Sequence, residues 1–428
     1  MRLELASFNI DRITLGARTR LSRGELQVDV EELRGLVLAD ENIRDVTIHL
    51  VHPGESVRIV HALDVVEPRH KVSGPGAVFP GVLGPPTSVG EGRTHRLSGV
   101  AIVTAGEPVV GEPVYWREAI IDMSGPGVAH SPFSQTANLV LELVAREPST
   151  PDERADDNTL IGSGYSLSYN HSVRVAGFKV ASYLAQVTAD MTPERVDVYE
   201  LTPVDPGLPK VFYASEETGR YLYGGVMGWQ PTLLHPNEFA DGVVFRTFNG
   251  PASIRESTYL YQNHPVVADL YRRHGKELSF AGVLLYPLGG ERLEEKERIC
   301  SFASKLLHML GADGIVISWI GGGHPGIDPM LLCQKCEQLG IMTTILSPEM
   351  ARTPDESGFV HYVPEADAIV SVGNYEEQVT LPPVDRVIGG RTLHLSDMDA
   401  AGALTVTVRH MYGASSPLGD GKLMGVQY

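Results

Sequence analysis

The chain has 428 residues, 43% of them apolar, enough for two or three domains' worth of core and too apolar for a disordered protein. Its 53 acidic side chains outnumber 35 basic ones, and the net charge of −18 repels phosphate backbones, which argues against nucleic acid as a partner. Three cysteines make no disulfide framework, no apolar run approaches bilayer length, and no basic, apolar leader follows Met1, so a cytoplasmic protein without membrane attachment is expected.

Residues 1–10 and 25–30 alternate loosely, as strands do, 30–38 has room for a helical turn or two, and 45–52 is a β-branched strand closed by Pro53-Gly54. From 53 to 132 glycine and proline are too dense for helices. Val, Ile and Leu recur between them (97–104, 119–123), which favours short strands and tight turns over a low-complexity linker. Residues 147–158 read as a polar loop. Helical spacing predicts a helix over 172–188, with strands at 195–201 and 208–213. The last third alternates: helix 265–274 opening at a proline, strand 278–285, helix 293–310 stopped by Gly311, and strand Gly314–Ser318. A glycine loop at 321–326 leads to helix 327–339, stopped by Gly340, and to strands 341–346 and 368–372. The expected fold class is α/β. A glycine-rich, β-containing region over 1–140 precedes α/β units with a mainly parallel sheet over 141–428, with a subdivision near 250 left open.

Few residue patterns carry chemistry by themselves. Cys333-Gln-Lys-Cys336 lacks the second pair or histidines that a zinc site needs. It lies at or past mid-helix, away from the N-terminal dipole that acidifies a redox thiol, so buried structural thiols stand against a redox pair. Gly321-Gly-Gly-His324-Pro-Gly-Ile-Asp328 follows a strand and opens a helix, where free N–H groups suit a small carboxylate or phosphate. It is neither a dinucleotide fingerprint nor a P-loop, and a plain tight connection with Asp328 as a first-turn acid is the alternative. Arg58, Arg69, His70, Arg93 and His95 bring cations into the glycine-rich part. Arginine grips carboxylates bidentately, which makes Arg58, Arg93 and His95 candidates for holding an anionic substrate; pairing with Glu55, Glu67 and Glu91 is the competing reading. His52, His61 and His130 show no metal spacing and read as structural.

Longer stretches are more specific together than any one alone. They include Pro-Gly-Glu-Ser-Val-Arg-Ile (53–59), Val-Glu-Pro-Arg (66–69), Gly-Pro-Gly-Ala-Val-Phe-Pro-Gly (74–81), Gly-Arg-Thr-His (92–95) and Ile-Asp-Met-Ser-Gly-Pro-Gly (121–127). Further on come Asn-His-Pro-Val-Val-Ala-Asp-Leu-Tyr-Arg-Arg-His-Gly-Lys (263–276), Gly-Ala-Asp-Gly-Ile-Val-Ile-Ser (311–318) and Leu-Pro-Pro-Val-Asp-Arg-Val-Ile-Gly (381–389). In their order and spacing the chain resembles the substrate-specific component-B subunits of the glycine, sarcosine and betaine reductases. The resemblance implies a cytoplasmic subunit of a multi-protein reductase whose small-molecule substrate, an amine, condenses with a carbonyl cofactor. The implied partner is a sister component-B subunit, whose Cys or selenocysteine nucleophile attacks the α-carbon.

In that family the cofactor is a pyruvoyl group, made when a cysteine after a Gly-Asn pair attacks its own preceding peptide bond. Counting back from Thr258-Tyr259 within residues 241–265, the corresponding position here holds Asn249. A carboxamide on Cβ neither attacks nor departs, so the leading expectation is an uncleaved chain with no cofactor, residues 247–253 lining the former cofactor position. Asn249-Gly250 then reads as a tight turn. Ser253, four residues on, is the alternative processing residue, with Thr247 a further one; a solvent-facing or turn-capping serine is its plain reading. A third reading makes the chain a non-catalytic structural partner of the thiol-bearing subunit.

Overall fold

A computed structural model describes residues 1–106, 118–146, 167–217, 220–246, 252–290, 292–319, 323–353, 356, 358–393 and 398–419. The expected loop at 147–158, together with Thr247, Asn249 and Gly250, lies outside the described residues.

The fold is mixed α/β, and its largest sheet has six strands. Across it run Thr232–Leu234, Ser279–Pro287, Lys210–Glu217, Gly314–Ser318, Met342–Glu349 and Ile369–Asn374. All are parallel except the antiparallel edge strand Thr232–Leu234. Taken in chain order, the five parallel strands lie 2-1-3-4-5, the doubly wound order that opens a crevice beyond the carboxyl ends of the first and third. Here those are Lys210–Glu217 and Gly314–Ser318.

Strand alternation decides which face each residue serves. Phe212 and Ala214 turn toward helices α5 (Leu293–Met309) and α6 (Ile327–Glu337), packing with Ile299, Leu307, Met330 and both cysteines of Cys333–Cys336. Gly311 and Gly340 follow these helices with φ of 71° and 80°, a left-handed conformation that costs glycine little. Tyr213 turns the other way, into a core shared with Phe239, Tyr261, Val267, Val65, Val103 and Val140. That second face is where helices α3 (Thr258–Gln262) and α4 (Pro265–Arg273) and the N-terminal strands meet.

The glycine-rich part forms the expected short strands, plus two 3-10 turns at Pro126–His130 and Pro132–Gln135. Helices α1 (Val30–Leu38) and α2 (Leu167–Ala185) pack against a four-stranded sheet ordered Ile43–Val51, Ala137–Ala145, Val100–Ala105, Ala62–Val66. The Asp29 carboxylate caps α1, accepting the Glu31 and Glu32 N–H groups at 2.9 and 3.3 Å. Residue 140 falls inside the Ala137–Ala145 strand. Distant segments also cross-pair: Arg195–Glu200 with Arg2–Asn9, and Arg386–Ile388 with Val57–Ile59.

Candidate functional site

At the carboxyl edge of the large sheet the Tyr213 hydroxyl donates to Ser318 Oγ at 2.7 Å, and Ser318 Oγ donates to the Pro417 carbonyl at 2.8 Å. Ser215 is the register partner of Ser318 and is fully buried. Residues 411–419 therefore lie across the crevice, and beneath them is the 3-10 turn Ala252–Ile254. The Gly413 N–H donates to the Ala252 carbonyl at 2.9 Å and the Ser415 N–H to the Ser253 carbonyl at 2.8 Å. The Arg255 N–H adds a second donor to the Ala252 carbonyl at 3.2 Å. Ser253 is fully buried, and its Oγ has no hydrogen-bond partner among the described residues.

The sequence after Ser253 fixes this turn from one side. Thr258 donates its N–H and hydroxyl to the two Asp64 oxygens at 2.9 and 2.6 Å, and Ser257 caps the Leu260 N–H at 3.2 Å. Arg255 donates to the Ala62 carbonyl at 2.8 Å. Burial pushes the Asp64 carboxyl above its ordinary value, and the Thr258 bonds pull it back. Ser253, Arg255, Glu256, Ser257, Thr258, Gln262 and His264 are all buried, so a strongly polar segment runs through the interior. Such burial is uncommon for these residue types and marks a place where polar groups serve something other than solubility. A carbonyl held by two backbone N–H groups, beside an uncommitted hydroxyl on the next residue, is the donor arrangement that stabilises an oxyanion during acyl transfer.

The residues expected to grip an anion do not converge. Arg58 is fully buried; it pairs bidentately with Asp122 at 2.6 and 3.0 Å and donates to the carbonyls of Ala400, Gly402 and Pro382. All five of its N–H groups are committed to the protein, so it locks the C-terminal segment rather than reaching a ligand. Arg93, on another sheet, is 41% exposed and pairs with Glu4. His95 is buried against Phe8, its Nδ1 at 3.0 Å from Thr188 Oγ1, and burial lowers its pKa. Asp328 is buried and ion-paired with Lys296, and it accepts the Gly289 N–H at 2.8 Å. Burial raises the Asp328 carboxyl above its ordinary value, with Lys296 the main influence pulling it back; His324 opens the 3-10 turn before α6.

Cys333 and Cys336 are buried and unbridged; burial raises both thiols, Cys336 to about 12, which fits structural thiols. His52 bonds Glu55 and His61 the Thr392 carbonyl, and no metal-binding cluster occurs among the described residues. No described helix is long and apolar enough to cross a membrane. One kind of contributor was invisible in sequence: the backbone donors of Gly413 and Arg255, which carry no side-chain signature.

A doubly wound sheet with a buried polar segment at its switch point defines an α/β protein with a crevice beyond the carboxyl ends of its strands. The model of the glycine/sarcosine/betaine reductase component B subunits matches residues 1–415, and the chain belongs to that family. It is 35% identical over 451 residues to the glycine reductase complex component B subunits alpha and beta of Acetoanaerobium sticklandii, covering the whole of both chains. It is 36% identical over 403 residues to the sarcosine reductase complex component B subunit alpha of Peptoclostridium acidaminophilum, covering 91% of this chain and 89% of that one. The betaine reductase complex component B subunit alpha of the same organism is 33% identical over 406 residues, with 91% and 88% covered. No solved structure matches.

Proposed function

We propose that this component-B chain handles a small amine or carboxylate for reductive C–N cleavage or a related α-carbon displacement. Its sister subunit supplies the Cys or selenocysteine nucleophile. We propose further that the chain is processed between Ala252 and Ser253. The observation that carries this is the Ala252 carbonyl, which accepts two backbone N–H groups while the buried Ser253 hydroxyl is uncommitted. Attack of Ser253 Oγ on the Ala252 carbonyl carbon forms an ester and frees the Ser253 nitrogen. β-Elimination then releases the Ala252 carboxylate, and water replaces the nitrogen, which leaves as ammonia, to give a pyruvoyl group. No oxidant is needed. The A. sticklandii relative lends support, because its name gives two subunits, alpha and beta, to one sequence that this chain matches from end to end.

Asn249 has no part in this chemistry, for the reason its carboxamide gives. The uncleaved subunit is the runner-up. Turnover in the presence of the thiol-bearing partner separates the readings. Ser253→Ala should abolish it and Asn249→Ala should spare it; full activity in Ser253→Ala overturns the processed reading.

A further inference from the structure

Two neighbouring carbonyls are held from far downstream in the chain. The Ser253 carbonyl accepts the Ser415 N–H at 2.8 Å, and the Ala252 carbonyl accepts the Gly413 N–H at 2.9 Å beside that of Arg255. Ala252–Ile254 is a single 3-10 turn and Ser257 is already extended (φ −76°, ψ 161°), so no continuing helix covers these oxygens. The segment that supplies the donors is fixed at both flanks. On one side the Tyr412 N–H donates to the Ile120 carbonyl at 2.9 Å, and the Ile120 N–H donates to the His410 carbonyl at 2.8 Å. On the other, Ser318 holds the Pro417 carbonyl and Leu418 is fully buried. Between them Gly413 turns at φ 76°, a left-handed conformation that glycine adopts freely and a side chain resists.

Processing at Ser253 puts negative charge on these two oxygens in turn. Attack of Ser253 Oγ makes the Ala252 carbonyl oxygen an oxyanion, which the Gly413 and Arg255 N–H groups face. The elimination that follows removes the Cα proton of Ser253. As that proton passes to water, the electron pair it leaves spreads onto the Ser253 carbonyl oxygen. The pair then closes a Cα–Cβ double bond, the Cβ–Oγ bond breaks, and the Ala252 carboxylate departs. At 2.8 Å the Ser415 N–H lies within the range of about 2.7–3.1 Å at which a donor stabilises such a charge.

We infer that residues 411–415 are a built-in activator of processing, the Gly413 N–H serving the acyl shift and the Ser415 N–H the elimination. This rests on the processing proposed above. Neither donor is in place until the chain has been made well past the scissile bond and has folded back onto it. Cleavage therefore follows folding and does not accompany synthesis of the turn.

The test is a chase of newly made full chain held natively in hydroxylamine, read by intact mass in denaturant. Hydroxylamine cuts esters and turns ketones into oximes, so the piece beginning at residue 253 records the step that was reached. In the parent that piece should carry an oxime. Ser415→Pro removes the N–H that serves the elimination. It should give instead a piece with a free serine amino end, oxime formation being slowed about 10²–10³-fold. Gly413→Ala, strained at its φ, should slow both products alike. Ser318→Ala releases Pro417 without touching the turn, and should shift the partition toward free serine even if Ser415→Pro folds poorly. Mass separates a cut at Ala252–Ser253 from one at Asn249–Gly250. A partition that neither Ser415→Pro nor Ser318→Ala moves overturns this inference alone; a parent that stays uncleaved overturns the processing proposal and this inference with it.

Discussion

The contrast between Arg58 and Arg93 shows how little residue type reveals about role. Both sit in glycine-rich motifs and both looked suited to a substrate anion. Asp122, 64 residues away in sequence, takes Arg58 out of consideration, and no local pattern announces that partner. Removing Arg58 strands a buried carboxylate, so Arg58→Ala should cost about 3–5 kcal/mol in urea unfolding. Arg93→Ala removes a half-exposed pair and should stay within about 1 kcal/mol of the parent. The cysteines give a second check at this scale. All three are buried and unbridged, so Ellman's reagent should titrate none in the native protein and all of them after denaturation. A fast-reacting native thiol would revive the redox reading of Cys333–Cys336.

Among the elements, those with explicit stop and start signals were legible in sequence: α4 at Pro265, α5 before Gly311, α6 before Gly340, and the strand Gly314–Ser318 to the residue. The Ala137–Ala145 strand carries Glu142 in its middle, which breaks the apolar pattern that would mark it in sequence. That glutamate is accommodated by long-range partners, His49 at 2.7 Å and the Gly389 N–H at 3.0 Å, which pattern alone does not contain. The crevice was not legible in sequence: the alternation implies a mainly parallel sheet but not its strand order, and the crevice floor depends on residues 411–419 returning to residues 252–254. The 3-10 turn Pro236–Asp241 carries a pH dependence of its own. His235 caps it by accepting the Asn237 N–H at Nδ1, and burial pulls this imidazole down to about 4. The unfolded chain takes up the proton near the ordinary ~6.5 while the fold resists it, so this stability is complete above that value. It is lost as pH falls toward about 4. His235→Asn keeps an acceptor at the cap without the titration, and should flatten the slope of urea midpoint against pH in that window.

For the whole molecule, the cross-pairing of distant segments sets what processing can do. Lys210–Glu217 precedes Ser253, yet it lies between Ser279–Pro287 and Gly314–Ser318, which follow it. Arg386–Ile388 likewise pairs back to Val57–Ile59. A chain cut at Ala252–Ser253 should therefore migrate as one species in native gel filtration, with its pieces separating only in denaturant. The most direct measurement is the intact mass of the purified protein under denaturing conditions, with and without borohydride. Processing at Ser253 predicts two pieces of about 27 and 19 kDa, in proportion to residues 1–252 and 253–428 of a 46.4 kDa chain, with borohydride adding two hydrogens to the smaller. A single species at 46.4 kDa, unchanged by the reductant, would contradict the account.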